Sequence, residues 1–312
     1  MLVAAVLPLY VPDSRIGAWL STHECLKALV AAGQTVRVCA FLAKGDPYEF
    51  EGVEVWRGQN HLEAVVASAD VVVSHHGDNG VAPVLAKQRG IPSVRIFNAD
   101  VAKVSKRNVR ANPPDLSVFV AEWMRDDMAL NGRTVVVPSV VWPDEHRATP
   151  GDRVTLVNLC DDKGGKVFER LARQMPDVQF LGVRGGYGVQ REPRLPNVEY
   201  VGPTEDMKND VWARTRILLM PSVREASGRA GIEALVSGIP VVCHPTPGLL
   251  ETQGENGIFA DRDDTKAWMV AIRWLSDPEV WAEKSQEALV RSAELDPRIG
   301  LERFVTAVEA LV

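Results

Sequence analysis

Residues 217–251 read ILLMPSVREASGRAGIEALVSGIPVVCHPTPGLLE. A short apolar run, Ile217 to Met220, meets a polar turn. Apolar residues then recur at helical spacing (Ile232, Leu235, Val236), and a second apolar run spans Pro240 to Cys243. This pattern predicts a buried strand, a helix from about Gly228 to Ser237, and a second buried strand, which together make half an α/β layer. Glu225 falls in the turn at the carboxyl end of the first strand, and Glu233 about one and a half turns into the helix.

The chemistry follows from that placement. Ligands of open α/β sheets bind outside the carboxyl ends of the strands, where helices begin. Backbone N–H groups from Ser227 to Ala230 would point outward there, and with the helix dipole they favour an anion such as a diphosphate. Gly228 has no Cβ, so a phosphate could approach its backbone closely. A carboxylate would repel a phosphate but accepts hydrogen bonds from vicinal hydroxyls, such as those of a sugar or a ribose. The turn is therefore read as gripping a sugar at one end, phosphates in the middle and a ribose at the other. Two glutamates eight apart also occur on any solvated helix face, so the spacing alone carries little.

The full string resembles the E-x7-E region of retaining glycosyltransferase family 4, whose block runs P-S-x-x-E-x-x-G-x-x-x-x-E-A-x-x-x-G-x-P-V. Pro221, Ser222, Glu225, Gly228, Glu233, Ala234, Gly238, Pro240 and Val241 match in register. Ser227 departs from it, standing where the family usually has Phe. The resemblance implies the GT-B fold: α/β, with two Rossmann-like doubly wound domains facing a central cleft.

Composition is compatible with that. A chain of 312 residues suits two domains, and a net charge of −6 argues against binding nucleic acid through general basicity. The four cysteines are widely spaced and lie in or beside apolar segments, as buried thiols of a reducing, cytoplasmic compartment would. The opening MLVAAVLPLYVP lacks a basic leader and is broken by Pro8 and Pro12, so it reads as a first parallel strand.

Strands and helices alternate from there. Leu2–Leu7, then a helix from Gly17 to Ala32, then Val36–Phe41 predicts a right-handed βαβ unit. No G-x-G-x-x-G follows the first strand, which disfavours a dehydrogenase. The family usually carries a Gly-Gly pair near the donor phosphates here; the aligned pair is Ile16-Gly17, so only Gly17 carries over. The family's D-V-V-x-x-H, helix, G-I-P-x-V pattern is met by Asp70, Val71, Val72, His75, Gly90, Ile91, Pro92 and Val94. His75 is thereby a candidate catalytic group, although an isolated histidine is commonly structural. Asn98 stands where the family often has a second histidine. Lys103, Lys106, Arg107 and Arg110 form a basic segment, read as a charged loop or as a peripheral contact with a phosphorylated acceptor or an anionic membrane.

Pro138–Asp152, with three prolines, reads as the interdomain linker. The domains are placed at 1–140 and 150–296, with a last helix, 297–312, crossing back to the first. In the second domain, Asp161-Asp162-Lys163-Gly164-Gly165 is a lysine-bearing, glycine-rich turn at a helix start, a plausible phosphate cradle. It resembles the family's G-R-x-x-x-x-K-G element. Lys163 and Gly164 match, while Asn158 takes the arginine position. Arg229 is the candidate second cation. Asp261-Arg262-Asp263 is formally D-x-D but sits before a helix and reads as capping, so no metal is expected.

What the resemblance implies is a metal-independent retaining hexosyltransferase. It would move a sugar from a nucleotide-diphosphate donor (UDP- or GDP-linked) to an acceptor hydroxyl, with no other cofactor. Glu225, Lys163 and His75 are the candidate catalytic residues. Ser227, Gly228, Arg229, Ala230, Glu233, Asn158, Gly164 and Gly17 are the candidate donor-binding residues. The acceptor is not legible. Alternatives are another GT-B enzyme, such as a nucleotide-sugar 2-epimerase or a phosphorylase, or a nucleotide-sugar-binding protein without catalysis.

Overall fold

The computed structural model describes residues 1–75, 80–98, 106–255 and 257–312. The chain divides into two compact units, one formed by Met1–Val140 with Pro297–Val312 and the other by Val141–Asp296.

The first unit is built on β1 (Leu2–Leu7), β2 (Thr35–Ala40), β3 (Tyr48–Phe50), β4 (Val53–Arg57), β5 (Val71–His75), β6 (Ser93–Phe97), β7 (Leu116–Phe119) and β8 (Arg133–Val136). Their order is β3-β4-β2-β1-β5-β6-β7-β8, and apart from the antiparallel β3 every described pairing is parallel. β1 and the start of β5, residues 71–73, read as apolar runs because helices cover both faces of such a sheet; residues 3–7 and 71–75 are all buried. The helices are α1 (Gly17–Ala31), α2 (Leu62–Ala67), α3 (Val81–Arg89), α4 (Lys106–Ala111) and α5 (Glu122–Met128). The C-terminal helix, Pro297–Glu309, lies against α1, β7 and β8.

The second unit has β9 (Arg153–Val157), β10 (Phe180–Val183), β11 (Val198–Val201), β12 (Thr215–Met220), β13 (Val241–Cys243) and β14 (Ile258–Phe259) in the order β11-β10-β9-β12-β13-β14, all parallel. Its helices are α6 (Pro143–His146), α7 (Gly165–Gln174), α8 (Met207–Asp210), α9 (Arg229–Val236), α10 (Pro247–Gln253), α11 (Thr265–Trp274) and α12 (Pro278–Glu294). Trp268 of α11 is fully buried with Phe168, Leu171, Leu219 and Ile272. Truncating an aromatic of that kind to alanine costs about 3–5 kcal/mol.

Three expectations change. The stretch read as linker holds α6, and Val141 onward belongs to the second unit. Proline at the first helical position followed by Asp144 and Glu145 is a helix start. The basic segment is helical from Lys106 rather than a loop, and residues 103–105 lie outside the described residues. Lys106 pairs with Asp127 and donates to its carbonyl, and Arg110 donates to the Met128 carbonyl, so these two side chains tie α4 to α5. The edge strand β3 has no counterpart in the sequence reading; at three residues, none of them buried, it carries too little apolar pattern to be seen.

Each sheet has one point where strand order reverses, and there the loops on either side diverge and leave a crevice. In the first unit it lies between β1 and β5, and in the second between β9 and β12.

Candidate active site

The crevice of the second unit is bounded by the loop after β9, which carries Lys163, and the turn after β12, which carries Glu225. Gly164 has φ +103, and a Cβ there would lie 2.1 Å from Pro221 Cγ, so only glycine lets the two loops touch. Val223 N–H donates to the Asp162 carbonyl at 2.8 Å, closing the same contact from the other side.

That contact brings Lys163 and Glu225 together. Lys163 Nζ donates to Glu225 Oε1, which also accepts from Ser222 Oγ at 2.7 Å. The side chains are only 22% and 9% exposed. Burial pulls the Lys163 ammonium toward deprotonation, but the Glu225 carboxylate and the Tyr187 phenol outweigh it and hold its pKa above the usual lysine value. Burial pushes the Tyr187 phenol up as well, against the pull of the ammonium.

Glu233 lies on α9, 6% exposed, and forms the second cluster. Its Oε1 accepts from Arg229 Nε at 2.8 Å and sits 3.7 Å from His146 Nε2, with Arg229 Nη2 3.4 Å from the same imidazole nitrogen. Arg229 therefore faces Glu233 instead of standing as an unpaired cation. Gly228, the N-cap of α9, has φ +70 and no side chain to cap the first turn; a Cβ there would lie 2.6 Å from Leu249. The helix thus starts at Arg229, one residue later than expected, with Ala230 in its first turn. Ser227 is buried, and its carbonyl accepts from Thr252 Oγ1 at 2.5 Å.

Neither glutamate's Oε2 takes a hydrogen bond among the described residues, and neither is sealed from solvent. Each carboxylate is therefore fixed through one oxygen and open through the other. Such a group can accept from a ligand hydroxyl without being reoriented.

Asn158 does something else. It adopts the left-handed conformation (φ 68), its Oδ1 accepts from Cys160 N–H and Gln190 Nε2, and Gly185 packs directly on its side chain. Gln190 Oε1 in turn accepts from Leu159 and Gly185 N–H. Asn158 thus ties the loop after β9 to the loop after β10. Beside it, Asp161, Asp162, Glu169 and residues 187–193 line a concavity of about 640 Å³. Arg191 and Lys166 hold the Asp161 carboxyl down to about 2.

His75 and Gly17 belong to the first unit, at its own crevice. Gly17 opens α1, exposed. His75 ends β5 and is 4% exposed. Asn98 Nδ2 donates to the Ala18 carbonyl (2.7 Å) and to Thr22 Oγ1 (2.9 Å), so its Oδ1 must accept, and His75 Nε2–H donates to it at 2.6 Å. Trp19 meets the imidazole edge-on at 4.7 Å.

The sequence reading assigned no role to His146, Tyr187 or Arg262. His146 had a signal, the Pro143 helix start, but nothing in the sequence names its partner. Asp264 accepts from Ala267 N–H as the α11 N-cap, and Asp261 Oδ1 accepts from Asp263 N–H. Arg262 between them points back to the crevice, donating to the Pro221 and Asp161 carbonyls.

Residues 165–277 match the family model described as Glycosyl transferases group 1. An exopolysaccharide phosphotransferase of Streptomyces coelicolor is 26% identical over 223 residues, 68% of this chain and 23% of that protein. The O-antigen chain mannosyltransferase B of Escherichia coli is 33% identical over 97 residues, 30% of this chain and 25% of that one. The matched stretches thus span about a quarter of those relatives' length. Anabaena HepE, solved in complex with UDP and glucose, superposes over 99% of this chain and 100% of its own, with TM-score 0.76 and 16% identity. At that identity the likeness is one of fold, the GT-B fold of glycosyltransferases.

Proposed function

We propose that this protein is a metal-independent retaining glycosyltransferase of the family 4 type, which transfers a sugar from a nucleotide-diphosphate sugar to an acceptor hydroxyl. The observation that carries the reading is the pair Glu225 and Glu233, each locked by a cation through Oε1 and open through Oε2, on either side of an uncapped helix start. The group 1 match over 165–277 spans both. The structural neighbour with bound UDP and glucose makes UDP-linked donors the first to try.

In this reading Glu233 Oε2 accepts from the ribose hydroxyls and Glu225 Oε2 from the donor sugar. Lys163 and the first-turn backbone of α9 meet the diphosphate charge with groups already in place. The acceptor oxygen bonds to the anomeric carbon on the face the diphosphate leaves. The anomeric C–O bond breaks, and the acceptor's proton passes to a diphosphate oxygen. No protein nucleophile is used. His75, buried with its Nε2 proton given to Asn98, then supports the first unit's crevice without moving a proton. Four buried free cysteines support a cytoplasmic setting.

One observation favours a second reading, a nucleotide-sugar binder without catalysis: Asn158 puts no cation where the resembling family has arginine. Binding and turnover are tested together. Thermal stabilisation is measured against UDP-, GDP-, ADP- and TDP-sugars with and without EDTA, in wild type and Glu233→Ala, followed by donor hydrolysis. A shift with one base, lost in the variant and indifferent to EDTA, is expected, with slow hydrolysis. No shift with any donor sinks both readings, and binding without hydrolysis selects the second.

A further inference from the structure

We propose that Arg262 is the positioning residue of this site: by bridging the backbone of the Lys163 loop to that of the Glu225 turn, it sets the spacing of the two catalytic side chains. The assignment of those side chains rests on the reading above; the bridge itself does not.

The geometry is specific. Arg262 Nη1 donates to the Pro221 carbonyl at 2.5 Å and to the Asp162 carbonyl at 3.3 Å, and Nη2 donates to the Asp161 carbonyl. One planar guanidinium therefore holds carbonyls from the loop after β9 and from the residue that follows β12, the two strands that border the crevice. Lys163 is the next residue after Asp162, and Glu225 lies four beyond Pro221. A lysine could not hold three acceptors in one plane.

Arg262 is itself fixed on both sides. Its N–H donates to His244 Nδ1 at 3.1 Å. The turn that carries it is pinned by the fully buried Trp268, whose Nε1 donates to the Asp261 carbonyl at 2.7 Å, and by the Asp264 cap. Its acceptors are neutral, and no carboxylate pairs with it among the described residues. Its positive charge therefore stays beside the Asp161, Asp162 and Pro221 carbonyls, at the crevice.

The test uses Arg262→Gln and Arg262→Lys in the full chain, with two readouts. The first, amide hydrogen exchange without ligand, is expected to quicken about tenfold in both 161–165 and 221–226, the scale of one lost charge-assisted hydrogen bond, while the β9 and β12 amides stay protected. The second is affinity for the free nucleoside and for the nucleotide-diphosphate sugar. Arg262→Gln is expected to weaken the sugar nucleotide about tenfold and leave the nucleoside, held at Glu233, unchanged, with Arg262→Lys between it and wild type. Unchanged exchange in either loop overturns the proposal, as does an equal loss for nucleoside and sugar nucleotide, which marks general destabilisation. Loosening of both loops in a protein whose wild type binds no nucleotide sugar supports the bridge and overturns the donor reading instead. If Arg262→Gln does not fold, Arg262→Lys carries both readouts.

Discussion

The two crevices share a topology and differ in chemistry. In both units the strand order reverses at the first strand of the sheet, and a helix starts just beyond it. The second unit fills that place with charge: Lys163 against Glu225, and Arg229 with His146 against Glu233. The first unit fills it with a buried hydrogen-bonded set, His75, Asn98, Thr22 and the Ala18 carbonyl, with Trp19 over the imidazole. A half-open ion pair can exchange a partner for a ligand hydroxyl or phosphate at modest cost. A hydrogen-bonded network within the fold loses bonds when one member is removed, and each buried group left unpaired costs about 1–3 kcal/mol.

That contrast can be broken by mutation. The largest effect is expected from Lys163→Ala, which removes the cation proposed to meet the leaving diphosphate; transfer or donor hydrolysis should fall about 10²–10³-fold. A variant with near wild-type turnover would end the assignment of chemistry to this crevice. Glu233→Ala comes next. Loss of a charged acceptor for ribose should raise the donor's dissociation constant about ten- to a hundredfold by calorimetry, with the fold retained.

Asn98→Ala tests the other side of the comparison. It takes the acceptor from the His75 Nε2–H and one of two side-chain donors from the Ala18 carbonyl, so denaturant unfolding should show a loss of about 1–3 kcal/mol while nucleotide-sugar affinity in the second unit stays as it was. A drop in that affinity would mean that the two crevices are not separable.

The smallest effect sharpens the picture at the edge of the charged crevice. The Asp161 carboxyl is held down to about 2 by Arg191 and Lys166, so its folded-state value lies below its unfolded one. Its stabilisation is present in full above the ordinary carboxyl range and fades as pH falls through about 2. The melting-temperature gap between wild type and Asp161→Asn should therefore be constant near neutrality and close toward pH 2. Because the pair is largely exposed, salt should narrow the gap as well.

Much of this was legible in the residues. Parallel strands buried on both faces are largely apolar, so residues 2–7, 71–73 and 217–220 appear as unbroken runs and the α/β class follows from the sequence. The Glu225 turn and Glu233 helix could be read because strand, turn and helix are local: every residue needed lies within one short stretch. Gly228 carried its own signal, since a left-handed residue at a crowded helix start has to lack a Cβ.

Tertiary structure decided how those residues are employed. Arg229, the candidate second cation, is set by folding on Glu233 beside His146, 83 residues away in the chain. Asn158, which aligns with the family's arginine, has its amide oxygen taken by Gln190, 32 residues on. Arg262 reaches the Asp161 carbonyl across 101 residues. Backbone carbonyls look alike in every residue, so a side chain that binds them leaves no pairing to find in the sequence. Periodicity and turn chemistry are set by neighbours along the chain, and these a sequence determines by itself; which donor meets which acceptor across a crevice depends on where two loops come to rest, and only the packed sheet fixes that.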